Sequence, residues 1–234
     1  MPDDDQVITL TLLDRLGLPY PKARVIHRPA HALIATQGLR WPIVVKPNIG
    51  GSGAGVKRFD TPEALKAAAD SSQLNFGIDS TALVQEFIPA RDSHIVRCEV
   101  LNGKFLYAIK VHITGETFDL CPADICRTTD GVDLDRAACP VDAPKSGVTV
   151  EGYHPPQQAI ADVERIMQES GIELGGIEYI IDDRDGQRLY YDINALSNFV
   201  ADGARVIGFD PFVKLVDWLE AEAAKVNEAK AGTR

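Results

Sequence analysis

The chain has 234 residues, enough for one large domain or two small lobes with a substantial core, and 45% of them are hydrophobic. Its formal net charge of −10 disfavours nucleic acid and anionic membrane as partners, since both would be repelled at long range. MPDDDQV at the start lacks the basic and apolar regions of a signal peptide, and no apolar run approaches the ~20 residues of a membrane span.

Asp3 to Asp5 read as the N-cap and first-turn acids of a helix that runs to about Leu16 and stops at Gly17. Val7, Leu10, Leu13 and Leu16 fall at helical spacing on it. LPYPKARVI reads as a turn and a strand, and a short helix is expected over about 29–38. WPIVVKPNIGGSGAGV (41–56) is an apolar strand ending in Lys46 and a glycine-rich loop, and GVKRF supplies a second strand, a hairpin pattern. TPEALKAAADSS opens with a Thr cap and Pro at the first helical position. TALVQEFI is a strand closed by Pro89.

HIVRCEVL and KFLYAIKVHI form a hairpin around Asn102-Gly103. Residues 114–153 mix polar residues, Gly, Pro and Cys and suggest an insertion or lid. A helix over 156–170 ends at Gly171. GGIEYII and RLYYDIN are strands joined around Asp185-Gly186, and Asp210 with Pro211 opens a last helix whose face carries Phe212, Leu215, Val216 and Leu219. Beyond about Ala224 the chain is polar. The order predicts an α+β protein of two lobes with mostly antiparallel sheets. Its parts are a leading segment 1–40, a small lobe 41–90, a large lobe 91–225 and a tail 226–234.

The glycine loop fits no common phosphate motif. Gly50 and Gly55 have the P-loop spacing, but Val56 stands where the lysine belongs. Gly51, Gly53 and Gly55 miss the dinucleotide fingerprint, and β-formers follow them instead of a helix. In the protein-kinase loop the lysine lies on a later strand, whereas Lys46 precedes this loop. What is left is a hairpin whose backbone N–H groups can approach phosphate oxygens beside one lysine charge. An exposed hairpin with a solvated lysine is the alternative.

GIEYIIDDRDGQRLYYDIN carries the second cluster. Side chains alternate faces along a strand. Ile177, Tyr179 and Ile181 would face a core together with Leu189, Tyr191 and Ile193. Glu178, Asp192 and Asn194 would then share the other face if a three-residue loop, Arg184 to Gly186, sets Glu178 opposite Asp192. A two-residue loop would set it opposite Ile193 and split the acids between faces. Two carboxylates and an amide oxygen suit Mg²⁺, which takes hard oxygen ligands alongside substrate phosphates. Asp and Asn are poor β-formers, so their place inside a strand is unlike an ordinary solvated face.

VVKPNIGGSGAGV, LVQEFIPA, GGIEY and YYDIN, in this order, resemble the ATP-grasp family of carboxylate–amine ligases, nearest the ribosomal-protein glutamate ligase and lysine-biosynthesis branch. The resemblance implies two α+β lobes clamping ATP between them, with ATP and Mg²⁺ as cofactors. It implies that Lys46 and the loop Gly50, Gly51, Ser52, Gly53, Ala54 and Gly55 meet the phosphates. Gln85, Glu86, Phe87 and Ile88 would meet adenine, chiefly through the backbone of the last three, and Arg91 or Asp92 the ribose. Arg97 would neutralise the transferred phosphate, with Lys110 as a further cation. Glu178, Asp192 and Asn194 would hold the metal.

The implied reaction activates a carboxylate as an acyl phosphate and joins it to an amine, in the cytoplasm, with small-molecule or peptide substrates and neither nucleic acid nor membrane as partner. A non-catalytic ATP-binding module, or a kinase stopping after phosphoryl transfer, are the alternatives. His94, His112 and His154 are candidate bases that spacing does not choose among. Three departures stand out. The sequence opens almost at the family's central nucleotide-binding region, without its usual preceding domain, which would imply either a minimal form or a dimer mate or partner chain that completes the acceptor site. Gln6 occupies the place of a second ATP lysine. Ser197-Asn198 replace a Pro-Gly, which makes Asn198 and Arg205 candidate acceptor contacts. Cys98, Cys121, Cys126 and Cys139 lack C-x-x-C spacing and read as free thiols.

Overall fold

The computed structural model describes residues 5–50, 55–113, 149–195, 197, 199–200 and 203–231. Helix α1 (Gln6–Arg15) begins at Asp5, whose side chain accepts from the Ile8 N–H, and stops before Gly17 at φ +66°. Strand β1 (Ala23–Ile26) follows. Instead of one short helix over 29–38 there are two single 3₁₀ turns, Pro29–His31 and Ile34–Thr36, the second ending where Gln37 leaves helical geometry at ψ 123°. Strands β2 (Ile43–Pro47) and β3 (Lys57–Phe59) pair antiparallel as the hairpin pattern predicts. Helix α2 (Pro62–Asp70) is capped by the Thr61 side chain, and β4 (Ala82–Glu86) completes a four-stranded sheet in the order β1-β4-β2-β3.

Strands β5 (His94–Leu101) and β6 (Lys104–His112) turn through Asn102 (φ 54°) and Gly103 (φ 66°), the left-handed pair that a tight hairpin demands. Strand β7 (Thr149–Tyr153), inside the stretch read as an insertion, pairs with β6. After α3 (Gln157–Ser170) come β8 (Leu174–Ile181) and β9 (Arg188–Asn194), giving a five-stranded sheet in the order β7-β6-β5-β8-β9. A short α4 (Gly203–Ile207) and a long α5 (Pro211–Ala231) end the described chain. Every strand pairing in both sheets is antiparallel, so the chain is α+β.

Strand alternation gives each sheet two different faces. In the small sheet Ile43, Val45, Ala82 and Val84 pack with Leu65 and Ala68 of α2. The opposite face carries Val44 and Lys46, paired with Gln85 and Leu83. In the large sheet Val96, Cys98, Ile177 and Tyr179 form a core with Leu10 and Leu13 of α1 and Val163 and Ile166 of α3. Tyr179 and Tyr190 meet edge to face at 5.7 Å there, worth ~1 kcal/mol beyond their burial. Burial pushes the Cys98 thiol up to about 12, so it is an inert core residue. The expected apolar face of α5 is not a core face. Leu215 is half-buried, but Phe212, Val216 and Leu219 are exposed.

Two of the three residues expected on the β9 core face are displaced. The ladder from the turn pairs Ile181 with Arg188, Ile180 with Leu189 and Tyr179 with Tyr190, and the register then shifts so that Glu178 pairs with Asp192. Tyr191 is the extra residue of a β-bulge. Tyr190 therefore joins the core, while Leu189 packs on the other side with Ile88 and Ile180. The three-residue loop does not form. Asp182 N–H bonds Gln187 O at 2.9 Å across a longer turn, and the bulge restores the pairing of the two acids.

Candidate active site

Lys46, Gln6, Asp192, Glu178 and Arg97 form one connected cluster drawn from both sheets and α1. Lys46 donates from Nζ to Gln6 Oε1 at 2.7 Å, and Gln6 Nε2 donates to Asp192 Oδ1 at 2.8 Å. Asn48, two residues after Lys46, fixes the start of α1 beside it. Its carbonyl accepts from Gln6 N–H at 3.1 Å, its Oδ1 from Val7 N–H at 2.8 Å, and its Nδ2 donates to Asp79 at 2.7 Å. The position that sequence reading marked only as a lysine lost is thus an amide that accepts from a cation and donates to an anion. The signal available for Asn48 was a polar residue next to a strand end, which alone says little.

Burial lowers the Lys46 pKa to about 8, with Asp192 opposing that shift. Glu178 is held above the usual carboxylate range, first by burial and then by the charge of Asp192; Arg97 and Tyr191 act the other way. Tyr191 donates to Glu178 Oε2 at 2.7 Å, and Arg97 Nη1 to Glu178 Oε1 at 3.0 Å. Arg97 Nε donates to Glu99 Oε1 at 2.6 Å, and Glu99 also accepts from Ser197. Asn194 Nδ2 donates to Asp192 Oδ2 at 3.0 Å. Gly176 makes room for the arginine, for a Cβ there would stand 2.7 Å from Nη2. Glu99 and Tyr191 were not anticipated: one lay in an apolar strand, the other among residues assigned to the core.

Glu178, Asp192 and Asn194 share a sheet face, with Glu178 paired to Asp192 and Asn194 to Gly176. Among the described residues no group of three or more His, Cys, Asp or Glu stands together as a metal-binding cluster. The donor set nevertheless fits a hard divalent cation. Two carboxylates face each other with mutual repulsion, and each oxygen accepts one hydrogen bond and keeps a lone pair.

The remaining expected residues divide. Gln85 Oε1 is buried without a hydrogen-bond partner, on the face that carries Lys46. The backbone N–H groups of Glu86 and Phe87 are not free for a ligand, because they donate to Lys22 O at 2.9 Å and Pro42 O at 3.0 Å. The Phe87 ring lies under Arg58 at 4.4 Å, and Ile88 is buried. Gly50 and Gly55 flank Gly51, Ser52, Gly53 and Ala54, which lie outside the described residues, as do Asn198 and residues 114–148. Arg91 reaches Asp183 at 3.4 Å, Lys110 reaches Glu151 at 3.0 Å, and the His94 ring lies tilted to that of His112 at 5.8 Å, so these side chains engage groups outside the cluster. Arg205 is exposed on α4. Among the described residues a cavity of about 400 Å³ lies at Phe105–Tyr153–Val206, and one of about 200 Å³ lies at Val7–Tyr20–Leu83, on the sheet face that also carries Lys46 and Gln85.

The two antiparallel sheets and their helices superpose on solved ATP-grasp folds. The ATP-grasp ligase PsnB complexed with minimal precursor superposes with a TM-score of 0.64 at 18% identity, over 93% of this chain and 60% of that one. D-alanine–D-alanine ligase from Bacillus anthracis gives 0.61 at 18%, over 97% and 69%. Residues 3–118 are similar to the RimK-like ATP-grasp domain. A D-alanine–D-alanine ligase of Hydrogenovibrio crunogenus is 33% identical over 116 residues, 49% of this chain and 35% of the relative. A probable alpha-L-glutamate ligase of an Enterobacter species is 25% identical over 232 residues, 97% and 67%. By sequence the matched segment spans about a third of the length of such D-alanine–D-alanine ligases. Among the described residues no helix is long and apolar enough to cross a membrane.

Proposed function

We propose that the chain is an ATP- and Mg²⁺-dependent ligase that joins a carboxylate to an amine. The observation that carries this reading is the link Lys46–Gln6–Asp192, which brings the cation of one sheet to the acids of the other. The unpartnered oxygen of Gln85, on the Lys46 face, supports a nucleotide in the same cleft, since a buried acceptor without a donor is costly and an exocyclic amine would satisfy it.

Glu178, Asp192 and Asn194 would hold Mg²⁺, which supplies charge neutralisation at the β- and γ-phosphates when bound. Lys46 places its charge on the phosphates. A substrate carboxylate attacks the γ-phosphorus, the bond to the β-phosphate oxygen breaks, and ADP leaves with an acyl phosphate formed. Arg97 stabilises the charge on that group; its Nη2, packed over Gly176, takes no part in the Glu99 and Glu178 bonds. An amine then attacks the acyl carbon, phosphate departs, and an amide remains. No nucleophilic side chain of the protein is needed, and positioning with charge neutralisation supplies most of the catalysis.

The names of the relatives support amino acids as substrates, and the precursor peptides bound to structural neighbours support peptide-borne ones. An ADP-release screen over amino acids and short peptides, with mass analysis of products, tests the proposal. Release of ADP that requires both a carboxylate and an amine supports it. ATP binding with no turnover across those pools contradicts it.

A further inference from the structure

Arg40, just before β2, touches none of the groups assigned above to catalysis or metal binding. Its side chain is half exposed, yet it covers two fully buried carboxylates, Glu86 at the end of β4 and Asp182 just after β8. Its backbone N–H donates to Glu86 Oε1 at 3.0 Å and its Nε to Oε2 at 2.8 Å. Its Nη2 donates to Asp182 Oδ2 at 3.4 Å, and its Nη1 lies 3.7 Å from Asp185. A planar guanidinium suits such a task, because its donors point along fixed directions to several acceptors at once.

Backbone links join the same two segments. Asp183 N–H donates to Pro89 O at 2.9 Å, and Ala90 forms an isolated antiparallel bridge with Asp182. Arg184 satisfies the rest of Asp182, through Nη2 at 2.7 Å and Nε at 2.8 Å. The stretch leaving the small sheet after Gln85 and Glu86 is therefore tied to the turn between the two acid-bearing strands.

We propose that Arg40 is a positioning residue that locks segment 86–90 to the β8–β9 turn. It thereby sets Gln85 and Lys46 on one sheet at a fixed offset from Glu178 and Asp192 on the other. This rests on the reading of the cleft as a nucleotide site, since the two ends of one nucleotide would then be gripped from two sheets. Loss of the lock is expected to weaken nucleotide binding more than it slows turnover of bound nucleotide.

Arg40→Met alone strands the buried Glu86 charge, which destabilises by itself. The test pairs it with Glu86→Met, removing both charges, and adds Arg40→Lys, which keeps a charge but loses the fork. Amide exchange at Asp183 is read in the ligand-free protein, and binding of a non-hydrolysable ATP analogue with Mg²⁺ is read by calorimetry. The expected result for the double variant is Asp183 exchange at least tenfold faster and analogue affinity at least tenfold weaker; Arg40→Lys, which leaves Glu86 in place, falls between it and the unaltered chain in both and keeps kcat within about threefold. Unchanged Asp183 exchange in both variants overturns the lock. Faster exchange with unchanged affinity overturns its role in positioning. Absence of analogue binding by the unaltered chain would defeat the ligase reading, while Asp183 exchange would still decide the lock.

Discussion

Glu178 and Asp192 face each other across β8 and β9 because β9 carries one extra residue, Tyr191, between the acids and the turn. A ladder continued unbroken from the turn would set Glu178 opposite Tyr191 and point Asp192 into the core. The same extra residue donates its hydroxyl to Glu178 at 2.7 Å. Tyr191→Phe is expected to keep the fold and the bulge, to raise the Glu178 pKa further, and to lower Mg²⁺-dependent turnover about tenfold. Turnover against Mg²⁺ concentration checks this, and a curve identical to that of the unaltered chain would mean the hydroxyl is idle.

Lys46 titrates near 8, against 10.5 for a free lysine. Nucleotide affinity should therefore fall as pH rises through about 8, by at most tenfold per pH unit. Lys46→Arg keeps its charge throughout and should flatten that profile; Lys46→Ala should bind weakly at every pH. The sign for stability is opposite. Between about 8 and 10.5 the unfolded chain binds the proton that the folded one has lost, so Lys46 contributes rising stability across that window. Calorimetric titration from pH 7 to 9.5 reads the binding effect.

Glu178 is held above its ordinary pKa, so the folded chain is proton-rich there and its contribution weakens as pH rises past the normal carboxylate range. Glu178→Gln relieves this. It should raise Tm without metal by about 2–4 °C, the shift that ~1 kcal/mol produces in a chain of this size. It should also remove most of the Tm increase that Mg²⁺ gives the unaltered chain. Thermal melts with and without Mg²⁺ test both, and a Glu178→Gln chain still stabilised by Mg²⁺ to the full extent would remove Glu178 from the metal set. Asp192→Asn should nearly abolish Mg²⁺-dependent turnover.

Glu99 is buried and holds both Arg97 and Ser197. Glu99→Ala is expected to cost about 3 kcal/mol, the low end for breaking a buried pair, because Glu178 still engages Arg97. Glu99→Gln keeps both hydrogen bonds within reach and should fold. Its kcat should fall about tenfold with nucleotide affinity nearly unchanged, since the arginine loses its strongest charge partner. Denaturant unfolding and steady-state kinetics separate the two effects.

Much of the fold is legible in local chemistry. Asp5, Thr61, Gly17, Asn102-Gly103 and Gly171 mark ends and turns through capping and left-handed backbone, and these rules act over a few residues. The Glu178–Asp192 pairing was legible too, but by a different route, because a bulge leaves no mark in strand alternation. Gln6, Glu99 and Arg40 were harder. Each works through a partner more than forty positions away or through a neighbour whose aim depends on the whole sheet, and no spacing rule reaches that far. β7 was hidden for a related reason: TVEGY alternates weakly, and pairing with β6 decides its state.

The most direct measurement of the central claim uses a carboxylate substrate found by the ADP-release screen and labelled with ¹⁸O in its carboxyl group. Attack of that group on the γ-phosphorus moves one labelled oxygen into the released phosphate, so one ¹⁸O per phosphate is expected together with an equal amount of amide. Unlabelled phosphate would contradict this route, and so would an ADP yield that does not depend on the amine.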